Sequence, residues 1–260
     1  MSDKGKILEY LRGGSFGELN LCWADLKGIY LYKANLSGVD LSFADLSGAN
    51  LFGANLKNAN LKGTNFSGAE LSKADLSGAD LSGADLSQAA MQKTKLLSAK
   101  LVDAKLVKAN LKQANMADAN LLYSNLSGAV LIGANLPYAD LCYADLSGVD
   151  LSSANLVFAH LCEVKLIGSN LSGADFSKAD MTEANLLNAN LTETDFSDAN
   201  LSMANLDNTI IAKTKFKNTN LKGSTRRERE VISIKPRNEH RHYSIVKPAG
   251  AAYIRMNLIG

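Results

Sequence analysis

The sequence predicts an all-β solenoid, a rod wound from short extended segments, and three observations lead there. An apolar residue returns every five positions from Phe16 to Leu221 without a slip: 33 Leu, 5 Phe, 3 Met and 1 Ile. Two residues before each centre, from Ala24 to Thr219, stands a second inward candidate, Ala in 28 of 40 cases and otherwise Ser, Thr, Val or Ile29. Asn, Asp and Gly crowd the remaining positions, as in Leu76-Ser77-Gly78-Ala79-Asp80. Self-similarity at a fixed period is the mark of a repeat architecture.

A period of five excludes the two common alternatives. On a helix, five residues advance about 500°, so the leucines spiral around the axis and leave no apolar stripe. On a flat strand the side chains alternate faces, and an odd period sends every second leucine into water. The pattern works when each unit is a short extended piece followed by a bend, with the small residue and the leucine both pointing inward. Asn, Asp and Gly supply the bend. Quarter-turn bends close a coil after four units. The pairs Trp23/Phe43, Tyr32/Phe52, Tyr123/Tyr143, Tyr138/Phe158 and Cys142/Cys162 are all spaced by 20 residues, which stacks each pair on neighbouring coils. Forty-two units then make ten to eleven coils, a rod about 50 Å long at the strand spacing.

The A(D/N)Lxx unit, as in Ala44-Asp45-Leu46-Ser47-Gly48, resembles the pentapeptide repeat family over residues 15–223. The resemblance implies a right-handed quadrilateral β-helix. The opening Ile7-Leu8-Glu9-Tyr10-Leu11-Arg12-Gly13-Gly14 is similar to a lead-in common among cyanobacterial members. The resemblance also implies two functional precedents. Quinolone-resistance members mimic B-DNA and bind DNA gyrase, whereas many cyanobacterial relatives look like regulatory or assembly factors.

The elements follow in order. Residues 1–14 form an N-terminal cap, a short helix over 2–12 with Ile7, Leu8 and Leu11 on its apolar face and Gly13-Gly14 as its stop. Such a cap is needed because a solenoid end exposes strand edges and core leucines. Residues 15–223 are the β-helix. Residues 224–260 are a basic extension: from residue 222 onward nine Lys/Arg stand against three Glu, so the preceding part is net −4 within a chain of +2. Val231-Ile232-Ser233-Ile234, Tyr243-Ser244-Ile245-Val246 and Ala252-Tyr253-Ile254-Arg255-Met256 read as short β segments separated by prolines. The extension could cap the last coil, form a homodimer contact at that end, or stay flexible.

Composition bounds the function. No run of 18 apolar residues and no signal-type segment occurs, so the expected location is the cytoplasm with no membrane span. Three cysteines, Cys22, Cys142 and Cys162, fit reduced thiols; a Cys142–Cys162 disulfide is geometrically conceivable, but the cytoplasmic setting opposes it. Without pocket-forming insertions no enzyme and no cofactor is expected, and Cys142, Cys162 and His160 fit a tetrahedral metal site poorly.

Departures from the repeat carry what functional information there is. Trp23, Phe43, Val102, Leu122, Tyr123 and Tyr143 fall on the face of the Leu21/Leu41 column, a candidate protein-binding patch or a set of stacked pairs that stiffen the ladder. Lys95, Lys100 and Lys105 replace the usual Asn/Asp before the leucine and, with Lys93, Lys108 and Lys112, form a lysine belt that could receive an acidic partner or compensate flanking acids. Arg226, Arg227 and Arg229 open the basic tail. The expectation is a non-enzymatic rod with a protein partner. The alternative is a gyrase-binding DNA mimic, which the unbroken repeat and weak negative charge disfavour; direct nucleic-acid binding is not expected.

Overall fold

The computed structural model describes Ile7, residues 21–227 and the backbone of two strands, Glu230–Ile234 (β1) and Tyr243–Lys247 (β2). From residue 21 the chain repeats one five-residue conformation, and each bridge position pairs in parallel with the residue twenty further on, from Asp25↔Asp45 to Asn205↔Thr225. Four units therefore make one square coil. The expected count of ten to eleven coils includes units outside the described residues.

Asp45–Ala49 shows how one unit satisfies its backbone. The Asp45 amide donates to Ala24 O of the coil before (2.9 Å), and the Leu46 and Gly48 amides donate to Asn65 O and Ser67 O of the coil after (2.8 and 2.9 Å). The Ala49 amide closes the turn onto Leu46 O (3.0 Å). The remaining amide, Ser47, is received by the Asp45 carboxylate at 3.0 Å. All five donors are used, as a structure with little spare room for water requires.

The turn imposes a backbone condition that the sequence reading did not isolate. Every fifth residue from Trp23 to Gly223 has φ between 52° and 75°, the left-handed region that the third residue of a type II turn occupies. Glycine fills 14 of these 41 positions. None of the other 27 is Val, Ile or Thr, although such residues occur one position earlier at Val102, Ile132 and Thr182. A branched Cβ is disfavoured at φ > 0, and the sequence respects that. Pro137 stands at the second turn position, where its fixed φ fits.

Leucines and alanines line the interior, and nearly all of those described are fully buried. Phe176, Phe196 and Phe216 stack inside at 5.4 and 5.7 Å. Where Thr or Ser replaces the alanine its hydroxyl is satisfied: Thr64 and Thr94 donate to Leu41 O and Leu71 O, and Ser124 to Leu121 O. A buried hydroxyl without such a partner would be costly.

Of the helical cap expected over residues 2–12, Ile7 alone is described; it is helical and fully buried with the core leucines. The rest of that segment lies outside the described residues. In the tail, β1 and β2 form an antiparallel pair with Ile232 opposite Ile245. Two of the three expected β segments thus lie in strands, and the third, 252–256, lies outside the described residues.

Two outcomes check this reading. Replacing Leu126 with Asp should destabilise the rod by about 4 kcal/mol or more in urea unfolding, because the charge enters an apolar wall with no counter-charge. Lys108→Ala, on the surface, should change stability by less than about 0.5 kcal/mol. At the exposed turn residue Ser98 (φ 52°), Ser98→Val should cost about 1–2 kcal/mol while Ser98→Gly costs nothing measurable. A tolerated valine there would contradict the backbone requirement.

Candidate functional site

The coil has four sides separated by the turns, and each bridge residue lies on the same side as the residue two further on: Tyr30 stacks beside Tyr32, and Lys27, Lys57 and Lys62 reach Asp45, Asp75 and Asp80 of the coil after. Each face shows solvent the two middle residues of its turn. On the face built over Leu21 and Leu41 these are Cys22 and Trp23, then every twentieth residue after them. The structure places Trp23, Phe43, Val102, Leu122, Tyr123 and Tyr143 all on this face, as two separate clusters. Trp23 stacks on Phe43 at 4.6 Å, and Tyr123 on Tyr143 at 5.0 Å. Gly63, Gly83 and Asp103 lie between them. Phe43 leans over Gly63, where an added Cβ would come within 2.6 Å of the ring. Trp23 remains 71% exposed and Tyr123 54%, so stacking covers only part of either ring.

Cys142 and Cys162 correct an expectation. They were expected as reduced thiols, and the structure joins them in a disulfide with Cα atoms 4.6 Å apart. The cause is the stacking itself: two cysteines in one column of adjacent coils stand within bridging distance. Both sulfurs are thus withdrawn from the cluster considered with His160, which stands in the bridge column between Asp140 and Asp180. Among the described residues no group of three His, Cys, Asp or Glu is arranged to hold a metal ion.

Lys95, Lys100 and Lys105 occupy three consecutive bridge positions of one coil, on three successive sides, and are exposed. They point in three directions and do not form one patch. Lys95 lies 3.6 Å from Asp75 of the coil before, a carboxylate that also takes Lys57 at 3.3 Å. Among the described residues Lys100 and Lys105 form no ion pair. With Ala90, this coil lacks an Asn or Asp at all four bridge positions. The amides of Gln92, Leu97, Val102 and Val107 therefore have no side-chain acceptor among the described hydrogen bonds, unlike Ser47. Three of those four residues are aliphatic.

The tail residues are less informative. The Arg227 amide donates to the Asp207 carboxylate at 2.8 Å, which continues the ladder past the last leucine. Arg229 lies outside the described residues.

A further cluster was not assigned from sequence. Tyr30, Tyr32 and Phe52 form a continuous stack (6.0 and 5.6 Å), with Lys33 over Tyr32 and Lys73 over Phe52. The 20-residue spacing of Tyr32 and Phe52 was visible. The contribution of Tyr30 was not, because only the coil geometry sets a bridge residue beside the residue two further on.

Carboxylates at the bridge positions are held ionised by the turn that follows them. The Ser42 hydroxyl and amide donate to Asp40 at 2.6 and 2.9 Å, and the hydroxyl is the main reason its carboxyl titrates below the ordinary range. For Asp45, Asp75, Asp80 and Asp195 burial pushes upward. The serine two residues on and a lysine across the coil outweigh it, leaving each lowered. The ion pairs are exposed and contribute little individually.

Comparison with known proteins bears on the fold directly. The family profile described as Pentapeptide repeats matches eight copies, most of them overlapping, between residues 15 and 225. No curated protein matches the sequence. Among solved structures the chain is similar to HetL, a pentapeptide repeat protein involved in heterocyst differentiation regulation from the cyanobacterium Nostoc sp. Strain PCC 7120. The two are 35% identical with a TM-score of 0.67, over 85% of this chain and 95% of HetL. A trypsin-treated variant of QnrB1, a plasmid-mediated fluoroquinolone resistance protein, is 20% identical with a TM-score of 0.39 over 70% of this chain and 86% of that one.

The Asp40 carboxylate gives a prediction with a definite sign. Because its folded value is depressed, its contribution to stability is complete above the ordinary carboxylate value near pH 4 and is lost as pH falls through the folded value. Asp40→Asn should flatten the pH dependence of unfolding in that acidic window. Ser42→Ala should move the Asp40 resonance titration upward in NMR. An unmoved titration would remove Ser42 as the cause.

Proposed function

The chain belongs to the pentapeptide repeat family, and on that premise we propose that it is a non-enzymatic, protein-binding rod acting as a regulatory or assembly factor. The carrying observation is the uneven decoration of a rigid, uniform scaffold: the half-exposed Tyr123–Tyr143 stack beside Val102 and Leu122 on one face. Repeat rods bind through extended, preformed surfaces, and exposed aromatic residues on a fixed frame anchor protein contacts at low entropic cost. Similarity to HetL, a protein of regulation, supports this reading. The DNA-mimic alternative gains nothing from the surface, because the exposed lysines between Lys93 and Lys112 interrupt any continuous negative field.

Affinity capture with the full chain as bait tests this. Tyr123→Ser with Tyr143→Ser should lose captured protein, and Arg226→Glu, Arg227→Glu and Arg229→Glu together report on the tail. Unchanged capture by both variants would remove these surfaces from the function. Inhibition of gyrase supercoiling at micromolar protein would instead support the alternative.

A further inference from the structure

The disulfide between Cys142 and Cys162 is set in a backbone that does not need it. Across the two coils that it joins, the His160 amide donates to Ala139 O at 2.9 Å, Leu141 to His160 O at 2.7 Å and Tyr143 to Cys162 O at 2.9 Å. One coil on, where Thr182 follows Cys162 in the column, the equivalent distances are 3.0, 2.6 and 2.9 Å. Hydrogen bonding therefore fixes the spacing, and the two sulfurs stay opposed whether or not they are joined. The start of the same column shows an unjoined neighbour pair: the Ser42 hydroxyl donates to Cys22 Sγ at 3.3 Å.

The surroundings are not those of a sealed staple. The Cys142 and Thr182 amides go to the Asp140 and Asp180 carboxylates, both at 3.1 Å. His160 holds the bridge position between those two, and the Cys162 amide goes instead to Cys142 Sγ at 3.3 Å. A sulfur that leaves as a thiolate is stabilised by such a donor. Cys142 is 9% exposed, whereas Cys162 is half-buried. Beyond Cys162 in the column stands Thr182, a small side chain whose hydroxyl is tied back to Asp180 at 2.6 Å. A nucleophile in line with the S–S bond thus reaches Cys162 over Thr182, while Cys142 is backed by Leu122.

We infer that Cys142–Cys162 is a redox-active disulfide, reduced in the folded rod by a dithiol. The reductant's thiolate attacks Cys162 Sγ, the S–S bond breaks, and its electron pair goes to Cys142 Sγ beside the Cys162 amide. The second thiol of the reductant then displaces Cys162. The reductant is thereby oxidised to its own disulfide, and its two protons pass to Cys142 and Cys162. A monothiol stalls at the first step, because the Cys142 thiolate is held against the mixed disulfide and re-forms the original bond. Asp140, Asp180 and Glu163 border the site, which further disfavours an anionic monothiol such as glutathione. The reduced thiols expected from the sequence are then one of two states of this site. The inference goes beyond the binding-rod reading and does not depend on it.

Thiol labelling of the full chain tests it. Folded protein purified under air is treated with dithiothreitol or with glutathione at equal thiol concentration, quenched with a maleimide and weighed by mass spectrometry. Dithiothreitol should add two labels, at Cys142 and Cys162, with circular dichroism unchanged, and its removal under air should restore the starting mass. Glutathione should act at least about tenfold more slowly. Cys162→Ser should abolish the dithiothreitol-dependent gain, leaving Cys142 labelled from the outset. Both cysteines labelled before any reductant, labels gained only in urea, or helical-coil signal lost on reduction would each overturn the proposal. Glutathione as fast as dithiothreitol would overturn the dithiol assignment.

Discussion

A coil whose sides are five residues long leaves almost no amide free to seek water, and the rest of the structure follows from how each unit meets that demand. Three of the five amides in a unit such as Asp45–Ala49 go to neighbouring coils, one closes the turn, and one is left for a side chain. The fold is thus a lattice of intercoil bonds in which every unit supports the next. The core leucines contribute hydrophobic burial, but the hydrogen bonds decide the spacing and the square section. The inward small residue belongs to the same constraint, since its amide must come back to the leucine carbonyl at the turn.

The Asn/Asp at the bridge position then has a defined task. It accepts the one amide that the backbone cannot satisfy, and stacked asparagines link sideways along the column, as Asn135 does to Asn115 and Asn155 to Asn135. Where a lysine, alanine or valine takes that position, the task is left to solvent. A full coil from Ala90 to Lys105 relinquishes it at all four bridge positions and gains charge and aliphatic surface. Surface character on this rod is therefore chosen against a small local cost in backbone satisfaction, which distinguishes that coil from its neighbours.

The fold was legible because one periodicity excluded every competitor: Leu at each fifth position and Ala two before it leave only a coil. The role of Asp45 was not legible, since Asn and Asp read equally as turn formers or as acceptors, and only the bond to Ser47 separates the two. The ban on branched residues at the third turn position was present in the letters but silent without φ. Positions separated by twenty predicted the stacks at Trp23/Phe43 and Tyr123/Tyr143. The same rule placed Cys142 over Cys162, yet an argument from compartment outweighed geometry there. Lys95, Lys100 and Lys105 were legible as a belt around one coil, and the bridge pairing sets them on three consecutive sides of it.

The unbroken beat has an evolutionary consequence. Inserting or deleting one unit of five keeps the interior pattern of leucine and small residue, because any unit can sit on any side of the square. It nevertheless turns all downstream surface by a quarter revolution, so Tyr143 would move to a different face from Trp23 and every vertical stack spanning the event would be dealt a new neighbour. Only changes of four whole units preserve the existing faces. Such a rod can reshuffle its surface in one genetic step without risking its core, a freedom that globular domains with a single closed interior do not have.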